Sequence, residues 1–200
     1  MNKKVIKHLL SLIFRYNILL NRGPNINELH NDTMLDKEVI MQLLQKMIKE
    51  KLITEDLRMT DKGRKLIRVG LIGGVFDILH VGHIETLKVA KEKVDVLVVV
   101  IARNKTVRKF KGRDVVMDEN DRLRLVSSIK YVDLAILGSE EDFMEPVLRV
   151  DPDIIFLGYD QSLPPSLENR ISKQSIVKLN IYVEKRKTSL FLDKIRKMVV

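Results

Sequence analysis

Two histidines and three glycines crowd one short stretch of the chain, GGVFDILHVGH. Gly73 and Gly74 let the backbone come close to a ligand, and Gly82 allows tight packing where a helix begins. His80 and His83 are three residues apart, so both can project from the first turn of that helix, where free backbone N–H groups already favour a phosphate. The pattern predicts a site for a polyphosphate chain.

An isolated His-x-x-His pair has two other interpretations. One or both histidines can be hydrogen-bonded structural residues, or the pair can bind a metal ion. The glycines on both sides, together with a position after an apolar strand and before a helix, favour phosphate binding over both alternatives.

The elements that must position this stretch are buried strands alternating with helices from Arg68 onward. Five runs rich in Val, Ile and Leu are typical of strands covered on both faces: VGLIG, DVLVVVIA, VDLAILG, DIIFLG and VKLNIYV. Amphipathic segments accompany them near 82–93, 118–130, 140–150, 164–174 and 189–198. This alternation predicts an α/β domain with a five-stranded, parallel, doubly wound sheet. Ligands bind outside the carboxyl ends of such strands, where GGVFDILHVGH is expected to lie.

Residues 1–67 carry helical periodicity and little strand signal. One long helix comes first, a second is expected to begin at Pro24, and a third is capped by Asp36. The phrase LITEDLRMTDKGRKLI then indicates a small β-wing and a closing helix capped by Thr60. The order predicts a winged helix-turn-helix domain at 1–67, followed by the α/β domain at 68–200.

The composition excludes several kinds of site. The chain has no cysteine, which excludes disulfides, thiolate metal sites and cysteine nucleophiles and fits a reducing cytoplasm. A formal net charge of +9 favours anionic partners, and the charge alone does not choose among nucleic acid, nucleotides and the acidic solutes of a cytoplasm. The apolar N-terminal segment is broken by Lys7, His8, Arg15 and Asn17, so we expect an amphipathic helix rather than a signal peptide. We therefore expect a cytoplasmic protein without a membrane partner.

Several phrases of the second half resemble one enzyme family. GGVFDILHVGH is similar to the F-D-x-x-H-x-G-H signature of the cytidylyltransferase-like nucleotidyltransferases, Rossmann-like members of the wider His-x-Gly-His superfamily. The resemblance continues through ARNKTVRKFKGR, DENDRLRLVSSIKYVDLAILG and PDIIFLGYDQ. The last two phrases resemble the archaeal FAD synthases most, and glycerol-phosphate cytidylyltransferases share the same frame.

The resemblance implies a reaction without a protein nucleophile. A phosphate oxygen of the acceptor attacks the α-phosphorus of a nucleoside triphosphate, and pyrophosphate leaves. The implied substrates are ATP and FMN, which give FAD, with CTP and a phosphate-bearing alcohol as the alternative pair. Mg²⁺ is implied as a companion bound mainly through the phosphates, with no dedicated protein metal site.

The resemblance also implies roles for particular residues. The expected catalytic residues are His80, His83 and Lys109, and Lys109 and Lys111 are expected to clamp the β- and γ-phosphates. Solvated lysines, a salt-bridged arginine and helix-capping hydroxyls are the structural alternatives for the basic and hydroxyl residues. The expected nucleotide-binding residues are Gly74, Val75, Phe76, Asp77, His80, His83, Lys111, Arg122, Gly158, Asp160, Thr188 and Ser189.

A different class of function stays open because of the first domain. A winged helix suggests a DNA-binding regulator whose second domain only senses a nucleotide or flavin. Its third helix, residues 36–50, would enter the major groove, but Glu38 and Glu50 oppose phosphate contact. We expect weak DNA binding at most, with residues 1–67 packing against the second domain or against a second subunit in a homodimer. Intact His80, His83, Asp160 and Lys109 favour catalysis, because a sensor need not keep the transfer site.

Overall fold

The fold is known from a computed structural model of the chain. It describes residues 3–163, 167, 171 and 175–181. The chain separates into two compact units, Met1–Arg68 and Val69–Val200. Each unit has its own set of buried apolar side chains.

The first unit is helical, apart from one antiparallel bridge between Ile53 and Met59. Its helices are α1 (Lys3–Leu20), α2 (Ile26–Thr33), α3 (Lys37–Lys49) and α4 (Asp61–Arg64). The bridge lies between α3 and α4 in the chain. Buried residues of α1 and α3, among them Leu9, Ile13 and Met47, form much of the core of this unit.

The start of α2 differs from the sequence expectation. The helix begins at Ile26 rather than at Pro24, because Asn25 caps it. The Asn25 side chain accepts a hydrogen bond from the Glu28 amide at 2.9 Å, and the Glu28 carboxylate accepts one from the Asn25 amide at 2.7 Å. This reciprocal pair satisfies two amides that a helix start leaves open. Asp36 does precede α3, but its side chain makes no capping bond.

The second unit alternates strands and helices. Its elements are β1 (Val69–Gly74), α5 (Val81–Lys91), β2 (Val96–Ile101), α6 (Asn104–Lys111), α7 (Glu119–Ser127), β3 (Leu134–Leu137), α8 (Met144–Val150), β4 (Ile154–Leu157) and β5 (Ile176–Lys178). Over the described residues the five strands form one parallel sheet in the order β3-β2-β1-β4-β5. The predicted α/β fold is confirmed. The chain steps from β1 out to β3 on one side and returns on the other side at β4, so the strand order reverses between β1 and β4.

Carboxylates hold the beginnings of two central strands. The Val69 amide at the start of β1 donates to Asp153 Oδ2 at 2.7 Å, and the Leu97 amide of β2 donates to Asp133 Oδ2 at 2.7 Å. Lys91 at the end of α5 donates to the same Asp133 oxygen at 2.6 Å. These bonds fix the amino ends of the strands, so that the loops at their carboxyl ends stand on a rigid sheet.

Within ARNKTVRKFKGR the residues Asn104–Lys111 form α6, a helix that the sequence analysis did not predict. Only Thr106 and Val107 of this helix are buried, so its apolar stripe is too short to be recognised by periodicity. The helix ends at Gly112, whose φ of 61° is left-handed and whose amide donates to Arg108 O. Glycine at this position is a common way to end a helix.

Two of the helices expected from the sequence have few or no described residues. The helices expected near 164–174 and 189–198 fall outside the described residues, apart from Leu167 and Ile171. Among the described helices, none is both long and apolar enough to cross a membrane.

Candidate active site

A cavity of about 320 Å³ opens at the carboxyl end of the sheet, where the strand order reverses. One wall is the segment from Ile72 to Asp77, which ends β1 and turns toward α5. The opposite wall is the segment from Gly158 to Gln161, which follows β4. Parallel α/β sheets bind ligands at this switch point. This cavity is therefore the candidate active site.

Gly74 and Phe76 shape the turn after β1. Phe76 adopts a left-handed φ of 52° and its side chain is buried. A Cβ on Gly74 would lie 2.6 Å from Phe76 Cε2, so only glycine lets the ring fold over the end of the strand. At Gly73 an added Cβ would meet nothing within 4 Å. The backbone there borders open cavity space, which a ligand can approach closely.

Asp77 joins this turn to the segment that follows α6. Its carboxylate is 1 % exposed and accepts hydrogen bonds from Arg113 Nη1 at 2.8 Å and from the amides of Val116 and Met117 at 2.8 and 3.1 Å. Burial raises the pKa of Asp77, but Arg113 and the two amides outweigh burial and keep that pKa below its usual value. Asp77 both lines the cavity and holds the segment that follows α6.

The two histidines stand together at the start of α5. Their rings stack with centroids 3.9 Å apart, and Phe76 packs 5.1 Å from the His83 ring. Burial, followed by the neighbouring His80, lowers the pKa of His83 to about 4. Asp160 opposes this shift without reversing it. His83 is therefore neutral at pH 7.

One hydrogen bond to His83 favours a single tautomer. The His80 amide donates to His83 Nδ1 at 3.4 Å, so Nδ1 is an acceptor. In a neutral imidazole the proton then resides on Nε2. The Nε2–H group is the donor that His83 can offer to an anionic oxygen.

Gln161 links the two walls of the cavity. Its Oε1 accepts from the Gly158 amide at 2.8 Å, and its Nε2 donates to Gly73 O at 3.1 Å. The side chain thus connects the segment after β4 to the carboxyl end of β1. The sequence analysis gave Gln161 no role. The signal that could have found it is its position directly after Asp160 in PDIIFLGYDQ.

The basic segment at the end of α6 contributes two residues to the cavity. Lys111 and Arg113 line it, whereas Lys109 is not among its described lining residues. The Lys109 ammonium lies 5.4 Å from the centroid of the exposed Phe110 ring. The structure therefore brings Lys111 to the site and leaves Lys109 on the outer surface of α6.

Arg122 has a different position from the one expected. Its side chain is fully buried, and each of its three nitrogens donates to a protein oxygen: Nε to Met117 O at 3.0 Å, Nη1 to Val75 O at 2.6 Å and Nη2 to Asn104 Oδ1 at 2.6 Å. It does not belong to the described cavity lining. Burial lowers the pKa of this guanidinium. Arg122 joins the turn after β1 to Asn104 at the start of α6 and to Met117 just before α7.

The remaining expected residues divide into two groups. Those that line the cavity are Gly74, Val75, Phe76, Asp77, His80, His83, Lys111, Gly158 and Asp160. Thr188 and Ser189 lie outside the described residues. The cavity also has lining residues that received no role from the sequence: Ile72, Thr86, Arg113, Tyr159, Gln161 and Ile181. Within the described chain, no group of three or more His, Asp or Glu side chains is arranged to hold a metal ion.

Residues 71–198 match the cytidylyltransferase-like family, and the chain belongs to this family. The protein is accordingly a nucleotidyltransferase.

Two named relatives and one solved structure are similar to parts of this chain. A protein from Thermoplasma volcanium named FAD synthase is 52% identical over 112 residues, which are 56% of this chain and 78% of the relative. A second FAD synthase, from Thermoplasma acidophilum, is 55% identical over 96 residues, 48% of this chain and 66% of the relative. A crystal structure described as a lipopolysaccharide core biosynthesis protein from Thermoplasma volcanium superposes with a TM-score of 0.54 at 47% identity, covering 58% of this chain and 99% of that one.

Proposed function

We propose that this chain transfers the adenylyl group of ATP to FMN and releases FAD and pyrophosphate. The observation that carries the proposal is the identity of 52% over 112 residues and 55% over 96 residues with two proteins named FAD synthase. The cavity suits such a substrate because its turn after β1, its two histidines and Lys111 all favour a polyphosphate.

In this reaction the protein positions the reactants and stabilises charge. A phosphate oxygen of FMN forms a bond to the α-phosphorus of ATP, the bond from that phosphorus to the bridging oxygen breaks, and pyrophosphate leaves with the electron pair. His83 donates from Nε2 to a phosphate oxygen, and His80 and the amides at the start of α5 act beside it. These donors are worth most as charge builds on the α-phosphate and the leaving group.

Asp160 and Gly158 are proposed to receive the nucleoside part of ATP. Both follow β4 and line the wall opposite the histidines. A carboxylate there can accept hydrogen bonds from ribose hydroxyls, and the glycine leaves room for the nucleotide.

Mg²⁺ fits this site as a companion of the phosphates. The described lining carries two carboxylates, and that of Asp77 is already occupied by Arg113 and two amides. The ion would therefore take most of its ligands from phosphate and water oxygens, as Mg²⁺ commonly does. When bound, it supplies neutralisation of the charge on the phosphates.

A direct assay tests the proposal. The purified chain is incubated with MgATP and FMN, with FAD followed by chromatography and pyrophosphate by a coupled assay. We expect FAD and pyrophosphate in equal amounts, and no product from CTP with glycerol phosphate. Use of CTP in place of ATP would agree with nucleotidyl transfer but would overturn the assignment of ATP as the substrate. Tight nucleotide binding with neither product would favour the sensing regulator instead.

We also propose that the first unit is a winged helix whose main contacts are with protein. Its order of three helices, a bridge at Ile53 and Met59 and a short helix is that of a winged helix. On α3, Val39 and Met41 are 42% and 41% exposed, which suits a protein surface better than a phosphate backbone. A homodimer formed through this unit is testable by sedimentation of the full chain across a concentration series.

A further inference from the structure

Arg113 lines the cavity, and only one nitrogen of its guanidinium donates hydrogen bonds to described residues. Its Nη1 donates to Asp77 Oδ2 at 2.8 Å and to Asp114 O at 2.9 Å, which uses both hydrogens of that nitrogen. Its Nε and Nη2 make no hydrogen bond with any described residue. The side chain is 38% exposed and lines the cavity. Three N–H donors are thus available at the site.

Asp77 holds this guanidinium on a rigid support. The carboxylate is itself fixed by the amides of Val116 and Met117 and is 1 % exposed. A side chain anchored in this way loses less conformational freedom when it binds a ligand than a free lysine loses.

The geometry of arginine defines what the other edge can bind. The Nε and Nη2 hydrogens point in parallel, which matches two oxygens of a phosphate group. We propose that Arg113 binds the β- or γ-phosphate of the nucleotide through its Nε–Nη2 edge while Asp77 keeps Nη1. The proposal rests on the proposed function, for which it names a further substrate-binding residue.

Neighbouring cations do not share this arrangement. Arg108 donates from Nε to Asp114 at 2.7 Å, is 72% exposed and is absent from the described lining of the cavity. Lys109 is likewise absent from that lining. Arg113 takes the second cationic position, beside Lys111, that the sequence interpretation had assigned to Lys109.

Ligand titration by calorimetry tests the proposal without turnover. The variants are Arg113→Ala and Arg113→Lys in the full chain, with Arg108→Ala as the matched control, and the probes are ATP, inorganic pyrophosphate and AMP. We expect Arg113→Ala to weaken ATP and pyrophosphate about 10- to 100-fold, the cost of charge-assisted hydrogen bonds. AMP, which lacks the β- and γ-phosphates, should change less than about twofold, and Arg108→Ala should bind all three probes as the wild type does.

Arg113→Lys keeps a cation beside the buried Asp77, so it separates an effect on phosphate binding from an effect on folding. It should melt near the wild type yet still weaken ATP and pyrophosphate, because a lysine is a single point of charge. Wild-type affinity for pyrophosphate in both variants would overturn the proposal. Equal weakening of AMP and ATP would also overturn it, since Arg113 would then act only by holding the loop. If pyrophosphate binding depends on Arg113 but no FAD forms, the assignment of Arg113 stands and the proposed function fails.

Discussion

At the scale of single residues, His83 is partly buried and accepts a hydrogen bond at Nδ1. A neutral imidazole with its proton on Nε2 can donate one hydrogen bond without first losing a proton to solvent at pH 7. Replacement of His83 should therefore affect turnover far more than folding.

We expect His83→Ala to lower kcat about 10²- to 10³-fold, the usual cost of removing one donor to a developing charge. His8→Ala is the matched control, because His8 is an exposed histidine of α1. FAD formation is measured at saturating ATP and FMN, and circular dichroism checks that both variants fold. Near wild-type turnover in folded His83→Ala would remove His83 from the catalytic residues.

The pKa of His83 also makes stability depend on pH. Its pKa is about 4 in the folded chain and about 6.5 when unfolded. Between these values the unfolded state binds more protons, so the contribution of the neutral ring is complete above pH 6.5 and is lost as the pH falls toward 4. The loss is on the order of 2 kcal/mol, at about 1.4 kcal/mol per pKa unit and allowing for solvent screening.

The free energy of unfolding of the wild type and of His83→Gln, measured in urea at pH 7.0 and pH 4.5, isolates this contribution. The wild type should lose more stability than the variant between the two values. Equal losses would contradict a depressed pKa at this residue.

At the scale of elements, the cavity depends on how two strand ends are held together. Gln161 bonds Gly158 on one side of the switch point and Gly73 on the other. The described β1–β4 ladder ends at the pair Ile72–Phe156, and beyond that pair the Gln161 side chain joins the end of β1 to the segment after β4.

Gln161→Ala should lower kcat/KM about tenfold and the free energy of unfolding by about 1 kcal/mol, the value of an ordinary hydrogen bond. Gln161→Glu should cost more activity than alanine, because it adds negative charge beside the phosphates and loses the donor to Gly73. Gln45→Ala, at an exposed position of α3, is the control. If alanine and glutamate variants both retain wild-type kcat/KM, Gln161 does not position the site.

The parts of this architecture that the sequence predicts are those with strong local signals. Buried runs of Val, Ile and Leu located the strands, and the glycines and histidines located the turn after β1. Helix α6 was missed because its burial rests on two residues, Thr106 and Val107. The burial of Arg122 could not be predicted because a sequence does not show which arginine is surrounded by carbonyl oxygens. Lys109 and Arg113 could be told apart only by the direction in which the end of α6 places each side chain.

At the scale of the whole molecule, the question is what the first unit adds. Residues 1–67 contain 13 Lys and Arg and 8 Asp and Glu, a formal charge of +5. Helix α3 does not concentrate that charge, since Glu38 is exposed on it and Lys46 lies 3.8 Å from Glu50. A helix that reads the major groove needs unopposed basic and polar side chains on its outer face.

We therefore expect the full chain to bind random duplex DNA no more tightly than about 1 µM near physiological salt, which is the range of non-specific contact. Fluorescence anisotropy over a salt series measures both the affinity and its salt slope. Glu38→Gln is the informative variant, because removal of this carboxylate should strengthen binding only if α3 faces the phosphates. Submicromolar binding by the wild type that falls steeply with salt, and that tightens further in Glu38→Gln, would place α3 on DNA and revive the regulator as the role of the first unit. Weak binding that Glu38→Gln leaves unchanged would instead assign the exposed face of α3 to contacts with protein.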